Sequence, residues 1–233
     1  MTNSIYETYE TELEKIKKSS NTIAIFLVGS SKGLDLRETN LKLNDIDIFV
    51  FVNQGEIQER VIKYINDIEF DINYFSRNGL KYLVNNKEYF FLKEMKDAQV
   101  IYDKNNTAIH IKELCRRSYL EGPKKLSDSE KQFIKIDVES KILRLKYKEK
   151  FENFEYKFLT NLYLKDIIIG YFKINDKWVP KDKNLLKELK KENKELFNFI
   201  EEIHEEYDYN LLLQLYNHIF KEIKYAKSIK ITY

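Results

Sequence analysis

The chain has 233 residues, 43% hydrophobic and 33% charged, with a formal net charge of +2. That length fills one large domain or two modest ones around a real core. The near balance of acids and bases argues against a strongly basic nucleic-acid binder. A single cysteine, Cys115, excludes an intramolecular disulfide and a cysteine-rich zinc site, and reads as a small buried residue. The opening MTNSIYETYETELEKIKK is polar and acidic, unlike a secretory leader, and no apolar run reaches the roughly 18 residues of a membrane span. A soluble, cytoplasmic protein with no membrane partner is expected.

Residues 4–19 carry Ile5, Leu13 and Ile16 among charges and predict an amphipathic helix. The run IAIFLV at 23–28 predicts a buried strand leading into Gly29, Ser30, Ser31, Lys32 and Gly33. DIDIFVFV at 45–52 is a second strand, alternating acid and isoleucine before turning wholly apolar. Residues 57–66 look helical. EFDINYF at 69–75 alternates again, with Glu69, Asp71 and Asn73 on one face; a helix over 79–95 and a strand over 98–103 follow.

Beyond residue 106 the pattern is helical, with segments near 107–119, 129–150, 153–170, 183–204 and 209–228. Gly122 and Pro123 break the chain, and Ser127 or Asp128 with Glu130 form a capping box for the next helix. The expected fold class is α+β: a small mixed sheet flanked by helices over 1–122, then a C-terminal α-helical bundle over 123–233.

Side chains alternate across a strand, so Asp45 and Asp47 share one face about 7 Å apart, while Ile46 and Ile48 anchor the other. Left unpaired at a half-buried strand start, the two carboxylates would repel each other, so the arrangement makes sense around a divalent cation. Oxygen ligands favour magnesium or manganese. Asp71, on a strand of matching alternation, is the third carboxylate, able to bind a metal or take an acceptor's proton; Glu69 is its rival. Three carboxylates suffice for two Mg2+ ions in phosphoryl transfer. Gly29 and Ser30 at a strand end let backbone and hydroxyl approach phosphate, and Lys32 is placed to add a charge.

FLVGSSKG, then NDIDIFVFV, then FDINYF together resemble the DNA polymerase beta-type nucleotidyltransferase superfamily, over roughly residues 22–75. The resemblance implies Gly29 and Ser30 on the triphosphate, Asp45 and Asp47 as shared metal ligands, and Asp71 as the third. The connection from Ser30 to Asp45 is a few residues longer than in common members. The order of features is similar to bacterial stand-alone, aminoglycoside-type nucleotidyltransferases, with an acceptor-binding or interaction role for the helical domain. That implies transfer of a nucleoside monophosphate from an NTP, expected to be ATP, to a hydroxyl on a small molecule, protein or RNA. A homodimer is left open. The alternative from another class is a non-catalytic or regulatory module, such as a toxin-antitoxin component.

The histidines His110, His204 and His218 lack zinc-like spacing and read as packing or surface residues. Trp178, Pro180 and Lys183 interrupt the bundle in a segment read as bordering a pocket.

Overall fold

The computed structural model describes residues 4–38, 43 and 45–225. The chain divides into two compact units, Met1–Gly122 and Pro123–Tyr233.

The first unit opens with helix α1 (Ser4–Lys17), followed by strands β1 (Thr22–Val28), β2 (Asp45–Val52), β3 (Glu59–Ile65) and β4 (Ile68–Ser76). Helices α2 (Arg77–Asn85) and α3 (Tyr89–Lys96), strand β5 (Gln99–Asp103) and helix α4 (Thr107–Leu120) complete it. The sheet runs in the order β3-β4-β2-β1-β5, with β2 and β4 parallel and the other neighbours antiparallel. This is the mixed sheet expected of an α+β chain.

Each face of the sheet has its own apolar set. Ile46, Ile48 and Val50 of β2 join Phe70 and Ile72 of β4, and pack with Tyr9, Leu13 and Ile16 of α1. Glu12 of α1 accepts a hydrogen bond from Lys63 of β3 at 3.0 Å, tying the same helix to the sheet edge. On the opposite face Phe26, Phe49, Phe51 and Phe75 gather around Phe91 of α3, with ring centroids 5.0–6.1 Å apart in the closest pairs. Ser76 ends β4 and starts α2, its hydroxyl accepting from the Gly79 amide at 3.0 Å.

Several boundaries differ from the sequence-based expectation. Residues 57–66 are not helical: Glu59–Ile65 is the edge strand β3, joined to β4 by Asn66 and Asp67. Both turn residues have positive φ, 52° and 63°, the pattern of a type I′ hairpin whose twist suits antiparallel strands. Edge position explains the polar composition of β3, which among the described residues pairs with β4 alone. The helix expected over 79–95 is two helices, broken before α3 near Lys87, where φ is 54°.

The second unit is helical: α5 (Asp128–Arg144), α6 (Asn153–Ile174), α7 (Leu185–Glu192), α8 (Lys194–Glu206) and α9 (Tyr209–Phe220). The Ser127–Glu130 capping box forms at the start of α5. Asn193 splits the expected 183–204 helix, its side chain capping α8 through the Leu196 amide at 2.9 Å. The core includes Val138, Ile142, Ile167, Leu212 and Phe220. Residues 226–228 of the last expected helix lie outside the described residues. Among the described residues no helix is long and apolar enough to cross a membrane. Cys115 is fully buried, and burial pushes its thiol up to about 12.

Phe91 is fully buried at the centre of the aromatic cluster. Phe91→Ala is expected to lower stability by about 3–5 kcal/mol through lost transfer energy and a residual cavity. Urea-induced unfolding followed by circular dichroism measures it.

Candidate active site

The parallel pairing of β2 with β4 aligns their residues one to one. Asp45 faces Glu69, Asp47 faces Asp71, Phe49 faces Asn73 and Phe51 faces Phe75. All eight point to the sheet face opposite α1, because the residues between them fill the α1-side core. Along this face each strand passes from half-buried acids to buried aromatics, so the acids stand as a shelf beyond the Phe49–Phe91 cluster.

Strand β1 brings the glycine turn to that shelf. Val28 pairs with Asp47, and the chain turns at once through Gly29, where φ is +68°. A Cβ at Gly29 would sit 1.9 Å from Asp47 Oδ2, so glycine here creates the space that the carboxylate fills. Ser30 donates from Oγ to Asp45 Oδ1 at 3.3 Å. The Gly29 amide donates to Glu94 Oε2 of α3 at 3.2 Å, and the Gly33 amide donates to Gln99 Oε1 of β5 at 3.0 Å. An anion arriving at the Gly29 amide must therefore displace Glu94.

Lys32 is half-buried beside other residues. The Asp97 carboxyl is held below its ordinary range chiefly by the hydrogen bond from Lys96, and the charge of Lys32 adds to that field.

Asp71 has strong partners of its own. Arg60 of β3 grips it with two hydrogen bonds, Nε to Oδ1 at 2.9 Å and Nη2 to Oδ2 at 2.8 Å. Asn73 donates from Nδ2 to Asp71 Oδ1 at 2.9 Å, and Gln58 donates in turn to Asn73 Oδ1 at 2.7 Å. The Arg60 guanidinium is pushed up first by its hydrogen bonds and charge contact with Asp71, with Glu69 and Asp47 adding to the effect. Glu69, the expected rival of Asp71, accepts a hydrogen bond from the Tyr64 hydroxyl at 2.6 Å.

The structure thus brings Asp45, Asp47 and Asp71 to neighbouring positions on one face, with Gly29 and Ser30 against the first two. Lys32 lies two residues beyond Ser30 in the same turn, its charge acting on Asp97. Among the described residues, no group of three or more His, Cys, Asp or Glu side chains converges closely enough to hold a metal ion as arranged. Part of the reason is visible at Asp71, whose carboxylate oxygens both point to Arg60. The donor set still suits a hard divalent cation, since it consists of carboxylate oxygens. The cation role at Asp71 is already filled by a guanidinium.

Gln58, Arg60, Tyr64 and Glu94 were missed from sequence. The first three belong to β3 or its approach, a stretch that mixes charges with apolar residues and gives no clean alternation. Glu94 lies 65 residues from Gly29 and carried no local signal.

In the second unit, Asn161, Leu164, Ile168, Leu185, Phe197 and His204 line a cavity of about 440 Å³. His204 Nδ1 lies 2.9 Å from Asn161 Oδ1. Asp182 borders this cavity, while Trp178, in the same irregular segment, is half-buried.

These features define an α+β chain with a carboxylate shelf beside a glycine turn. No family model matches the sequence, and no curated protein sequence matches it. A crystal structure of a nucleotidyltransferase-like protein from Exiguobacterium sibiricum is similar in shape, at a TM-score of 0.48 and 12% identity, over 92% of this chain and 73% of that one. A likeness that loose assigns no residue roles.

The two turn glycines are predicted to respond unequally to substitution. Gly33→Ala meets open space and bears only the strain of φ +80°, about 1–2 kcal/mol. Gly29→Ala bears similar strain and also collides with Asp47, so its loss of stability should exceed that of Gly33→Ala. Thermal denaturation of the two variants side by side checks the order.

Proposed function

We propose that this chain is a metal-dependent nucleotidyltransferase, which moves a nucleoside monophosphate from an NTP, expected to be ATP, to a hydroxyl acceptor. The observation that carries the reading is the facing register of Asp47 and Asp71, with the Gly29–Ser30 turn pressed against Asp47 and Asp45. The same residues carry the motif resemblance to the polymerase beta-type superfamily.

In this reading Asp45, Asp47 and Asp71 hold Mg2+, or Mn2+, which when bound neutralises triphosphate charge and the leaving pyrophosphate. The Gly29 amide exchanges Glu94 for a phosphate oxygen, and the Ser30 hydroxyl exchanges Asp45 for another. The acceptor oxygen bonds to the α-phosphorus, the bond from that phosphorus to the bridging oxygen breaks, and pyrophosphate leaves with the electron pair. In this reading the proton of the acceptor hydroxyl passes to the Asp71 carboxylate as the new bond forms. Lys32 serves as a mobile charge toward the phosphates. The helical unit binds the acceptor, which is a small molecule, a protein or an RNA, in the cytoplasm.

One observation favours a second reading. The closed Arg60–Asp71 pair is what a non-catalytic or regulatory module would retain, for instance a toxin-antitoxin component.

Incubation with Mg2+ and labelled ATP, GTP, CTP or UTP, offering aminoglycosides, total RNA and lysate proteins, separates the two. Label is expected on one acceptor class. Asp47→Asn should reduce transfer about 100-fold or more, the scale of losing one preorganised electrostatic partner. Absence of transfer and of NTP binding by the wild type would leave the regulatory reading standing; undiminished transfer by Asp47→Asn would overturn the site.

A further inference from the structure

We propose that Arg60 is a two-position residue: it neutralises Asp71 while no divalent cation is bound, and turns to a triphosphate oxygen once a cation takes Asp71. The inference rests on the nucleotidyltransferase reading.

Three features of the pair support it. The contact is bidentate, with both guanidinium bonds under 3 Å, the strong form of an arginine–carboxylate pair and one that uses both carboxylate oxygens. A cation ligated by Asp71 therefore competes directly with Arg60. The partners are also unequally exposed: the Asp71 side chain retains 14% of its surface and Arg60 retains 56%. The carboxylate is thus fixed, with Asn73 and Gln58 bracing it, while the guanidinium is free to leave toward solvent. Lastly, Arg60 stands on β3, which among the described residues pairs with β4 on one side and with no strand on the other. Its departure breaks no backbone pairing.

A purely stabilising role explains the pair less well. An ion pair with so exposed a cation contributes little to folding, because water screens it. Its electrostatic value lies in the shelf itself, where Asp47 and Glu69 also act on Arg60. Withdrawing the guanidinium removes from Asp71 the cation that both its oxygens accept from, with Asp47 in register on the adjacent strand. Arginine that has left a carboxylate presents the same planar fork to a phosphate. The residue that holds the site closed is then the one that greets the substrate's charge.

The test compares Mn2+ binding, followed by the electron paramagnetic resonance of free Mn2+, in wild type, Arg60→Gln and Arg60→Lys. Binding of the Mn2+–tripolyphosphate complex is measured in parallel, and circular dichroism verifies that each variant is folded. Arg60→Gln is expected to bind Mn2+ about tenfold more tightly and the tripolyphosphate complex about tenfold more weakly, the scale of one charge-assisted contact in each case. Arg60→Lys should fall between. In an Asp71→Asn background, Arg60→Gln should no longer alter Mn2+ affinity. Unchanged Mn2+ affinity in Arg60→Gln, with Asp47→Asn still abolishing binding, overturns the competition and leaves the functional reading intact. Tighter Mn2+ with unchanged tripolyphosphate binding overturns the second position of Arg60. No Mn2+ binding by wild type or Arg60→Gln overturns the functional reading together with the inference.

Discussion

Parallel pairing of β2 with β4 places residue against residue, and with it Asp47 against Asp71. Their strands are separated in sequence by β3 and its turn, so the acids meet only because the hairpin β3–β4 folds back to set β4 beside β2. The antiparallel β1 then delivers Gly29 to Asp47, because Val28 is the last residue of that strand and pairs with the same aspartate. A shift of one residue in the β2–β4 register would turn acids into the α1-side core and isoleucines out of it, which the burial of Ile46, Ile48 and Ile72 forbids. Core packing on one face thereby enforces the alignment of charges on the other.

The face that carries these charges also carries a second core. Asp45 and Asp47 give way to Phe49 and Phe51 on one strand, as Glu69 and Asp71 give way to Asn73 and Phe75 on its neighbour. The packed aromatic end fixes the strands, and the open acidic end inherits that rigidity. Rigid carboxylates do not remain unpaired: Arg60 meets Asp71, Tyr64 meets Glu69 and Ser30 meets Asp45. Glu94 similarly occupies the Gly29 amide. Internal partners hold these charged groups in place.

Much of this architecture is legible in the residues alone. The acid-isoleucine alternation of residues 45–48 marks both the strand and its two faces, and the Ser127–Glu130 box marks a helix start by local hydrogen bonding. Strand β3 was not legible in the same way, because ERVIKYI has an exposed edge and mixes charges with apolar residues without a clean alternation. Its true signal was the Asn66–Asp67 pair, two residues that tolerate positive φ. Missing β3 also concealed Arg60, since an arginine on a helix would have had no reason to face Asp71. Glu94 was hidden for another reason: contact with Gly29 depends on how α3 lies on the sheet, which no local pattern reports.

The hairpin turn governs more than a bend. Asn66 and Asp67 connect Ile65 directly to its pairing partner Ile68, so the loop has no slack. One residue added there would carry the flanking strand half a pleat along, exchanging the side of the sheet on which Arg60 stands for that of Lys63. Length variation at this outlying tip would then act as a dial on the charge of the shelf several residues away.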